Sequence, residues 1–290
     1  MSLEQRVLSH LILFPIYLLP RFMKRGLAYF ISLVWYYIRP HRKLAMIDNI
    51  KRAFPDKDLA YINKVAFDSF YNWAFSALEY SYFPYISQRR LNQITELVGK
   101  EHLDNAFKKG KGVLILGTHT GNGELSIYRL CMEKYPLYLI GRKVKNQFIN
   151  DVLFSIREKS GLQHLDPSNS SLKVVRALKR NEGLLFVIDQ FTYPPIGIKS
   201  TFFGHTTGTN SSLAYFALKF NATVVPAHSY RKEGKVIVSL DEAIETEAPF
   251  EDLNENVSYM TQKYNTWIEK VITERPESWM WIHRRWKKYF

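Results

Sequence analysis

The chain has 290 residues, a length typical of one large domain or two small ones. Its 46% hydrophobic content excludes a disordered or fibrous protein, and its single cysteine, Cys131, excludes a disulfide framework or a cysteine-rich zinc site. Forty Lys and Arg against 27 Asp and Glu leave a net charge of +13. This charge predicts an acidic partner, which is a nucleic acid, an anionic membrane surface, an acidic protein or a phosphorylated substrate.

Two uncharged stretches, residues 7–20 and 26–38, lie near the amino terminus. Each is shorter than the run of about 20 apolar residues that a membrane-spanning helix needs. The first 52 residues carry nine Lys or Arg against two acids, which leaves a local charge of +7. We therefore expect residues 1–40 to form helices that lie at an anionic membrane interface. An ordinary pair of surface helices with basic ends is the alternative.

A long helix is predicted next, because apolar residues recur at helical spacing from Ile62 to Leu78. Phe67, Tyr71 and Phe75 form a second apolar row on the same helix. Two apolar rows indicate a helix that is buried on both sides, and we favour this interpretation over a row that lines an acyl-chain groove.

Short apolar segments then alternate with helical ones. Strands are predicted at 112–116, 137–140, 184–188, 223–226 and 236–240, and helices at about 122–134, 146–160, 170–181 and 211–220. This alternation predicts an α/β fold with a mostly parallel central sheet that is covered by helices. Ligands of such sheets bind at the carboxyl ends of the strands, so the residues that follow each strand are the candidates for function.

The first of these strands is followed by a histidine, a glycine-rich turn and a glutamate at the start of a helix. His119 and Glu124 form a candidate acid–base pair, and the N–H groups of Gly121, Asn122 and Gly123 are candidates for binding an oxyanion or a phosphate. The structural alternative has Asn122 capping the helix, Glu124 interacting with the helix dipole and His119 as a turn residue. The spacing is not that of a zinc-binding HExxH motif, and we expect no metal.

Further polar residues follow the later strands. Asp189 and Gln190 come after the third strand, although Asp189 could equally cap the following turn. Arg157 lies on a predicted helix, and residues 202–209 are predicted to form a flexible polar loop. Arg142 and Lys143 follow the second strand, and the carboxyl terminus interleaves basic and aromatic residues.

Seven segments, in this order, resemble those of the bacterial lipid A late acyltransferases, the lauroyl/myristoyl group of the wider lysophospholipid acyltransferase families. The resemblance covers nearly the whole chain. The segments are Asn49-Ile50-x-x-Ala53-Phe54-Pro55, Gly117 to Glu124 with its His-x4-Glu motif, Arg157, Asp189-Gln190, Phe202-Phe203-Gly204-x-x-Thr207, Val224-Val225-Pro226 and Trp281-x-His283-Arg284-Arg285-x-Lys287.

The resemblance implies a glycerol-phosphate-acyltransferase-like domain in residues 41–290, at the cytoplasmic face of the bacterial inner membrane. It also implies transfer of a fatty acyl group from an acyl-carrier-protein thioester to a hydroxyl of a lipid A precursor or similar glycolipid. His119 would be the general base and Glu124 would orient its ring, while Arg157 and Asp189 would support the site or bind substrate. No cofactor is expected beyond the thioester co-substrate.

The expected partners are acyl carrier protein, an anionic membrane surface and a glycolipid acceptor. Arg142, Lys143, Lys145 and the carboxyl-terminal basic cluster are the candidate docking charges for the acidic carrier. A lysophospholipid or an ornithine-type lipid is an alternative acceptor. The Phe-Pro-Glu-Gly-Thr-Arg block that is usual in glycerol-phosphate-type acyltransferases is missing from this sequence. A nucleic-acid-binding protein is favoured only by the charge and the aromatic content, so we expect no nucleic acid partner.

Overall fold

A seven-stranded sheet covered by helices forms the centre of the protein. The computed structural model describes residues 3–38, 40–141, 146–166 and 171–287. Within these ranges the helices are α1 (Leu3–Leu18), α2 (Arg21–Ile38), α3 (Pro40–Ala53), α4 (Leu59–Glu79), α5 (Gln88–Ile94), α6 (Lys100–Lys108), α7 (Gly123–Cys131), α8 (Gln147–Lys159), α9 (Ser171–Lys179), α10 (Ser212–Phe220) and α11 (Leu253–Glu274). The strands are β1 (Thr95–Val98), β2 (Val113–Gly117), β3 (Leu137–Ile140), β4 (Gln163–Leu165), β5 (Gly183–Val187), β6 (Gly197–Phe202), β7 (His205–Asn210), β8 (Thr223–Lys232) and β9 (Lys235–Leu240).

The strands of the central sheet lie in the order β1-β9-β8-β2-β5-β3-β4. β2 pairs in parallel with β5 and β8, and β3 pairs in parallel with β4 and β5, whereas β9 runs antiparallel to β8. The predicted α/β fold with a mostly parallel, helix-covered sheet is confirmed.

The apolar run of β2 reflects its position between two core layers. Leu114 and Leu116 pack into one hydrophobic cluster, and Val113 and Ile115 pack into the other on the opposite face of the sheet. All four side chains are fully buried. A strand that is covered on both faces needs no polar alternation, which explains why its sequence is continuously apolar.

The prediction of a flexible polar loop at residues 202–209 is wrong, because this segment lies in the antiparallel hairpin of β6 and β7. Thr207 and Thr209 are fully buried, although their hydroxyls are polar. The Thr207 hydroxyl donates to the Arg285 carbonyl at 2.7 Å, and the buried Arg285 guanidinium donates to the Thr209 hydroxyl at 2.6 Å. These hydrogen bonds offset the desolvation of the threonines, so a polar strand packs inside the protein.

Helix α4 is buried on both sides, as its two apolar rows predict. Ile62 and Phe70 lie in the core, while Phe67 and Tyr71 on the other row contact Tyr29 of α2 edge-on. Trp35 of α2 stacks on Phe70 with ring centroids 3.9 Å apart. Helix α2 is therefore packed against the body of the protein along its inner face.

The outer faces of α1 and α2 carry apolar side chains that are exposed to solvent. Leu11 is 67% exposed and Phe22 is 73% exposed, and Leu18 and Phe30 are similarly open. Within the described ranges, no single helix has the length and apolar character of a membrane span. Residues 7–18 and 21–38 reach that length and character only as a pair, and the two helices are bent by 111°.

Basic residues between the two apolar stretches hold the helices to the protein. Lys24 is fully buried, and its ammonium donates to the Tyr17 carbonyl and to the Ser81 hydroxyl, each at 3.3 Å. It also lies 3.8 Å from the centre of the Tyr82 ring. Burial lowers the pKa of Lys24 to about 8. This cation stabilises the junction of α1 and α2 from inside.

The buried Glu79 carboxylate connects three parts of the fold at the end of α4. Arg231 of β8 donates to it at 2.6 and 3.2 Å, and the Asn122 side-chain amide donates at 2.8 Å. Arg21 of α2 lies 3.5 Å away. The carboxylate is fully buried and its charge is balanced by these donors. Glu79 therefore fixes Asn122, the residue that caps α7, relative to the sheet.

Replacing Glu79 by alanine should lower the free energy of unfolding by about 3–5 kcal/mol, because Arg231 would be left as a partly buried cation without its partner. Denaturant unfolding measures this change. The matched control is Glu96→Ala, which removes an exposed carboxylate 3.4 Å from Lys235 and should cost less than about 1 kcal/mol. Equal losses in the two variants would contradict the role assigned to Glu79.

Candidate active site

The register of two parallel strands brings His119 and Asp189 together. Gly117, the last residue of β2, pairs with Val187, the last residue of β5. His119 and Asp189 each follow two residues later, so they meet at the same carboxyl edge of the sheet. The sequence interpretation placed candidate residues at this edge, and His119 Nδ1 lies 2.7 Å from an oxygen of Asp189 there.

Three N–H groups surround the fully buried Asp189 carboxylate. One oxygen lies 2.7 Å from His119 Nδ1, and the other accepts from the His119 backbone N–H and from the Trp279 indole, both at 2.7 Å. Burial alone would raise the pKa of Asp189, but the neighbouring His119 and the donated hydrogen bonds lower it to about 2. Asp189 is therefore an ionised acceptor, and it does not cap a turn.

The ionised Asp189 determines the tautomer of His119. A carboxylate only accepts hydrogen bonds, so Nδ1 of His119 carries the proton and Nε2 keeps a lone pair. The side-chain amide of Gln190 lies 3.3 Å from Nε2. Burial lowers the pKa of His119, but the Asp189 charge and hydrogen bond raise it more, so the pKa lies above its ordinary value. The side chain is 34% exposed, which leaves the ring open to a ligand.

Glu124 binds Arg157 rather than the histidine ring. Arg157 Nε donates to one carboxylate oxygen at 3.1 Å, and Nη2 donates to the other. The expectation that Glu124 orients the His119 ring is therefore wrong, because Asp189 makes that contact. Glu124 is nevertheless near enough for its charge to raise the pKa of His119. The arrangement joins two candidate residues, Glu124 and Arg157, in a bidentate ion pair beside the histidine.

Close packing and hydrogen bonds constrain the turn between His119 and α7. Gly121 has a φ of 59°, and a Cβ atom at this position would lie 2.5 Å from the Ser229 carbonyl oxygen, so only glycine fits. The Asn122 side chain accepts from the Leu125 N–H at 3.1 Å and caps the helix. The Gly121 N–H donates to the Ser278 carbonyl at 2.8 Å, which removes it from the candidate oxyanion donors. Among the described hydrogen bonds, the N–H groups of Gly123 and Glu124 have no acceptor.

A cavity of about 1390 Å³ opens beside this turn. His119, Glu124 and Arg157 line one part of it, and the rest of its wall is largely apolar. The apolar lining comes from several helices and strands and includes Ile127, Leu130, Leu139, Val187, Val175 and Phe216. The volume is larger than that of a pocket for a small metabolite and suits a long apolar ligand.

Several residues near the site carry no assigned role in the sequence interpretation. Glu79 holds Asn122, and Trp279 donates to Asp189. For Glu79, the available sequence signal is a glutamate at the end of an apolar helix. No sequence signal indicates that the Trp279 indole donates to Asp189. His283 also lines the cavity, and burial lowers its pKa to about 4, so it is neutral at pH 7.

The docking charges expected for an acidic carrier are only partly within the described chain. Arg142, Lys143 and Lys145 lie outside the described residues. In the carboxyl-terminal cluster, Arg285 is fully buried and bonded inside the protein, so it is not a docking charge, whereas Arg284 is exposed.

Cys131 is buried, and burial raises the pKa of its thiol to about 11. Within the described ranges, no group of three or more His, Cys, Asp or Glu could hold a metal ion.

Asp189→Asn should lower the pKa of His119, because the charge that favours the imidazolium is removed. The ring would then lose its proton over a lower pH range, which NMR titration of the His119 ring measures. Asp241→Asn is the matched control, since it removes a carboxylate 3.7 Å from another histidine, His228, and should leave the His119 titration unchanged. A His119 titration that is the same in Asp189→Asn and the wild type would contradict this assignment.

Comparison with known proteins identifies the family of the chain. The chain matches the family described as bacterial lipid A biosynthesis acyltransferase over residues 4–288. It is 26% identical to the lipid A biosynthesis lauroyltransferase of Escherichia coli (strain K12), over 82% of this chain and 77% of that protein. It is 25% identical to the lipid A biosynthesis palmitoleoyltransferase of the same organism, over 82% of this chain and 76% of that protein.

A more distant relative is the phosphatidylinositol mannoside acyltransferase of Mycobacterium tuberculosis (strain ATCC 25618 / H37Rv), which is 23% identical over 51% of this chain and 48% of that protein. The family match spans nearly the whole chain, and the relatives are named for the same type of reaction. The chain therefore belongs to the bacterial lipid A biosynthesis acyltransferase family, and the protein is an acyltransferase.

Proposed function

We propose that the protein transfers a fatty acyl chain from an acyl-carrier-protein thioester to a hydroxyl of a lipid A precursor or similar glycolipid. The observation that carries this proposal is the contact of 2.7 Å between Asp189 and His119 Nδ1, beside a large and mainly apolar cavity. It leaves His119 Nε2 as a base at the cavity wall. The cavity offers room for an acyl chain next to that base.

In the proposed reaction, His119 Nε2 accepts the proton of the acceptor hydroxyl while the oxygen attacks the thioester carbonyl carbon. The tetrahedral intermediate then collapses, the carbon–sulfur bond breaks, and the imidazolium returns its proton to the leaving thiolate. The products are the acyl ester and the carrier thiol. Asp189 holds the reactive tautomer and stabilises the imidazolium. No enzyme nucleophile is needed, which agrees with the raised thiol pKa of the buried Cys131.

Glu124 and Arg157 would act on this step through their charges. The Glu124 carboxylate favours protonation of His119, and Arg157 keeps that carboxylate in place through two hydrogen bonds. The N–H groups of Gly123 and Glu124 at the start of α7 are the proposed donors to the oxyanion of the tetrahedral intermediate. Positive partial charge at the helix start would add to this stabilisation.

The reaction would take place at the cytoplasmic face of the inner membrane, with the protein attached through α1 and α2. The exposed apolar side chains on the outer faces of these helices support this arrangement. The acyl-carrier donor would approach from the aqueous side.

A different phosphoglycolipid is the second candidate acceptor. The similarity to a protein named phosphatidylinositol mannoside acyltransferase supports it. Mass spectrometry of membrane lipids from cells with and without the gene distinguishes these acceptors and identifies the added chain.

His119→Ala should lower kcat by about 10²–10⁴-fold, since a general base is lost. Glu124→Gln should also impair turnover, because it keeps the size but removes the charge that favours the imidazolium. The double variant should be little worse than His119→Ala alone, because the two groups act on the same proton transfer. Single-turnover assays with an acyl-carrier thioester measure these effects per folded protein.

His102→Ala is the matched control, since His102 lies on α6 outside the cavity and its loss should leave turnover unchanged. A folded His119→Ala variant with wild-type turnover would refute the mechanism. Additive losses in the double variant would indicate that Glu124 acts separately from His119.

Replacing Leu11, Phe22 and Phe30 together by glutamine should weaken binding to anionic phospholipid vesicles by about tenfold or more, because the exposed apolar surface would no longer enter the interface. Vesicle co-sedimentation measures the partition. These residues point away from the core, so the fold should persist, unlike a deletion that would remove the packing of Trp35 on Phe70.

The control replaces three other exposed apolar residues, Leu59, Val98 and Phe250, by glutamine. Its vesicle binding should equal that of the wild type. If both triple variants bind as the wild type does, α1 and α2 do not provide the attachment.

A further inference from the structure

Residues 278–280 pack against the turn that carries His119. We propose that Trp279 in this segment is a positioning residue for acyl transfer, because its indole holds the Asp189 carboxylate that keeps His119 available as a base. The proposal rests on the proposed function, since it assigns Trp279 to the step in which His119 accepts a proton. Trp279 would act on that step through Asp189.

Backbone hydrogen bonds join this segment to the histidine turn on both sides of Trp279. The Gly121 N–H donates to the Ser278 carbonyl at 2.8 Å, and the Met280 N–H donates to the His119 carbonyl at 3.1 Å. Between these two bonds, Trp279 forms an antiparallel β-bridge with the turn. Backbone geometry therefore determines where the indole lies relative to the histidine.

Helix α4 also holds this segment in place. The Ser69 hydroxyl donates to the Trp279 carbonyl at 2.5 Å, and the Asn72 side-chain amide donates to the Glu277 carbonyl at 3.0 Å. The Trp279 side chain is buried and packs edge-on against Trp281, with ring centroids 4.7 Å apart. The indole is thus a preorganised donor that needs no rearrangement during the reaction.

Two hydrogen bonds share the negative charge of Asp189. One carboxylate oxygen lies 2.7 Å from His119 Nδ1, and the other accepts from the Trp279 indole at 2.7 Å. The indole bond stabilises the ionised carboxylate and draws charge away from the oxygen that faces the ring. Less charge then remains to favour the imidazolium.

This division of charge suits a general base. The Asp189 charge raises the pKa of His119, but a histidine that is already protonated at the working pH cannot accept a proton. The Trp279 bond lowers the pKa of Asp189 and so keeps this carboxylate ionised. Trp279 would therefore preserve the orienting carboxylate while limiting how strongly it favours protonation of the ring.

Other titratable groups near this pair act independently of the indole. Within the described ranges they are Glu124, Arg157, His283 and Arg285. The Glu124 charge raises the pKa of His119, whereas burial lowers the pKa of His283 to about 4 and leaves it neutral at pH 7. The described hydrogen bond of the indole goes to Asp189 alone. Removing the indole N–H therefore leaves these other charges in place.

The first test uses the unaltered protein and follows the Trp279 indole N–H and the His119 ring by NMR as the pH is varied. Both resonances should change with the same midpoint, because both groups bind one carboxylate. The internal control is the Trp267 indole, which donates to a different carboxylate, Asp241, at 2.9 Å and should not follow that midpoint. A Trp279 resonance that does not respond to the His119 titration would overturn the proposal, and this measurement needs no variant to fold.

The second test is Trp279→Phe, which keeps an aromatic ring and removes the N–H. The His119 titration should move to higher pH, opposite in sign to Asp189→Asn, because the carboxylate charge is no longer shared. On the acid side of the pH profile, kcat should fall by about three- to tenfold while KM for donor and acceptor changes less than about twofold, since the base is protonated over a wider range and binding is intact.

Trp281→Phe is the matched control, since it removes another buried indole of the same segment, one that donates to the Pro276 carbonyl at 2.6 Å. It should leave the His119 titration and the acid side of the profile unchanged. Equal shifts in the two variants would assign the effect to packing of the segment and overturn the proposal. So would a His119 titration in Trp279→Phe that is unchanged or moves to lower pH. If the wild type shows the shared NMR midpoint but transfers no acyl group, the proposed function is refuted and the coupling of Trp279 to His119 stands.

Discussion

The ionised Asp189 carboxylate is the constraint on which the candidate active site depends. It is fully buried, and burial opposes its charge, so it persists only because three N–H groups converge on it. Two of them belong to His119 at the end of β2, and the third belongs to Trp279 in the carboxyl-terminal segment. The Nδ1-protonated tautomer of His119 is therefore fixed only when the sheet has formed and the carboxyl-terminal segment has packed against it.

The other buried charges also need hydrogen-bond partners that offset their desolvation, and each of them stabilises one part of the fold. Glu79 is bonded to Arg231 and Asn122 and so secures the turn that starts α7. Lys24 is bonded inside the junction of α1 and α2, and Arg285 supplies the donors that allow the polar hairpin to be buried. Part of the positive charge of this basic protein is thus internal, and its role there is to satisfy acceptors rather than to attract a partner.

The helices with exposed apolar faces are close in the fold to the cavity of the candidate active site. Helix α2 packs against α4, and residues of α4 such as Ser69 and Trp73 line the cavity beside His119. The outer face of α2, like that of α1, carries exposed apolar side chains.

The sequence by itself determined the continuous apolar runs of β2 and β5, the polar residues two positions beyond each, the two buried rows of α4 and the cap at Asn122. These follow from local spacing and from covalent order. Only the tertiary structure decided that Asp189, and not the nearby Glu124, reaches the His119 ring, because strand register joins residues 70 positions apart while Glu124 turns towards Arg157. It also decided that the threonines of β7 and the cations Lys24 and Arg285 are buried, since the acceptors and donors that satisfy them come from distant segments. Hydrogen-bond partners of this kind depend on how the elements pack, which the local pattern of residues does not encode.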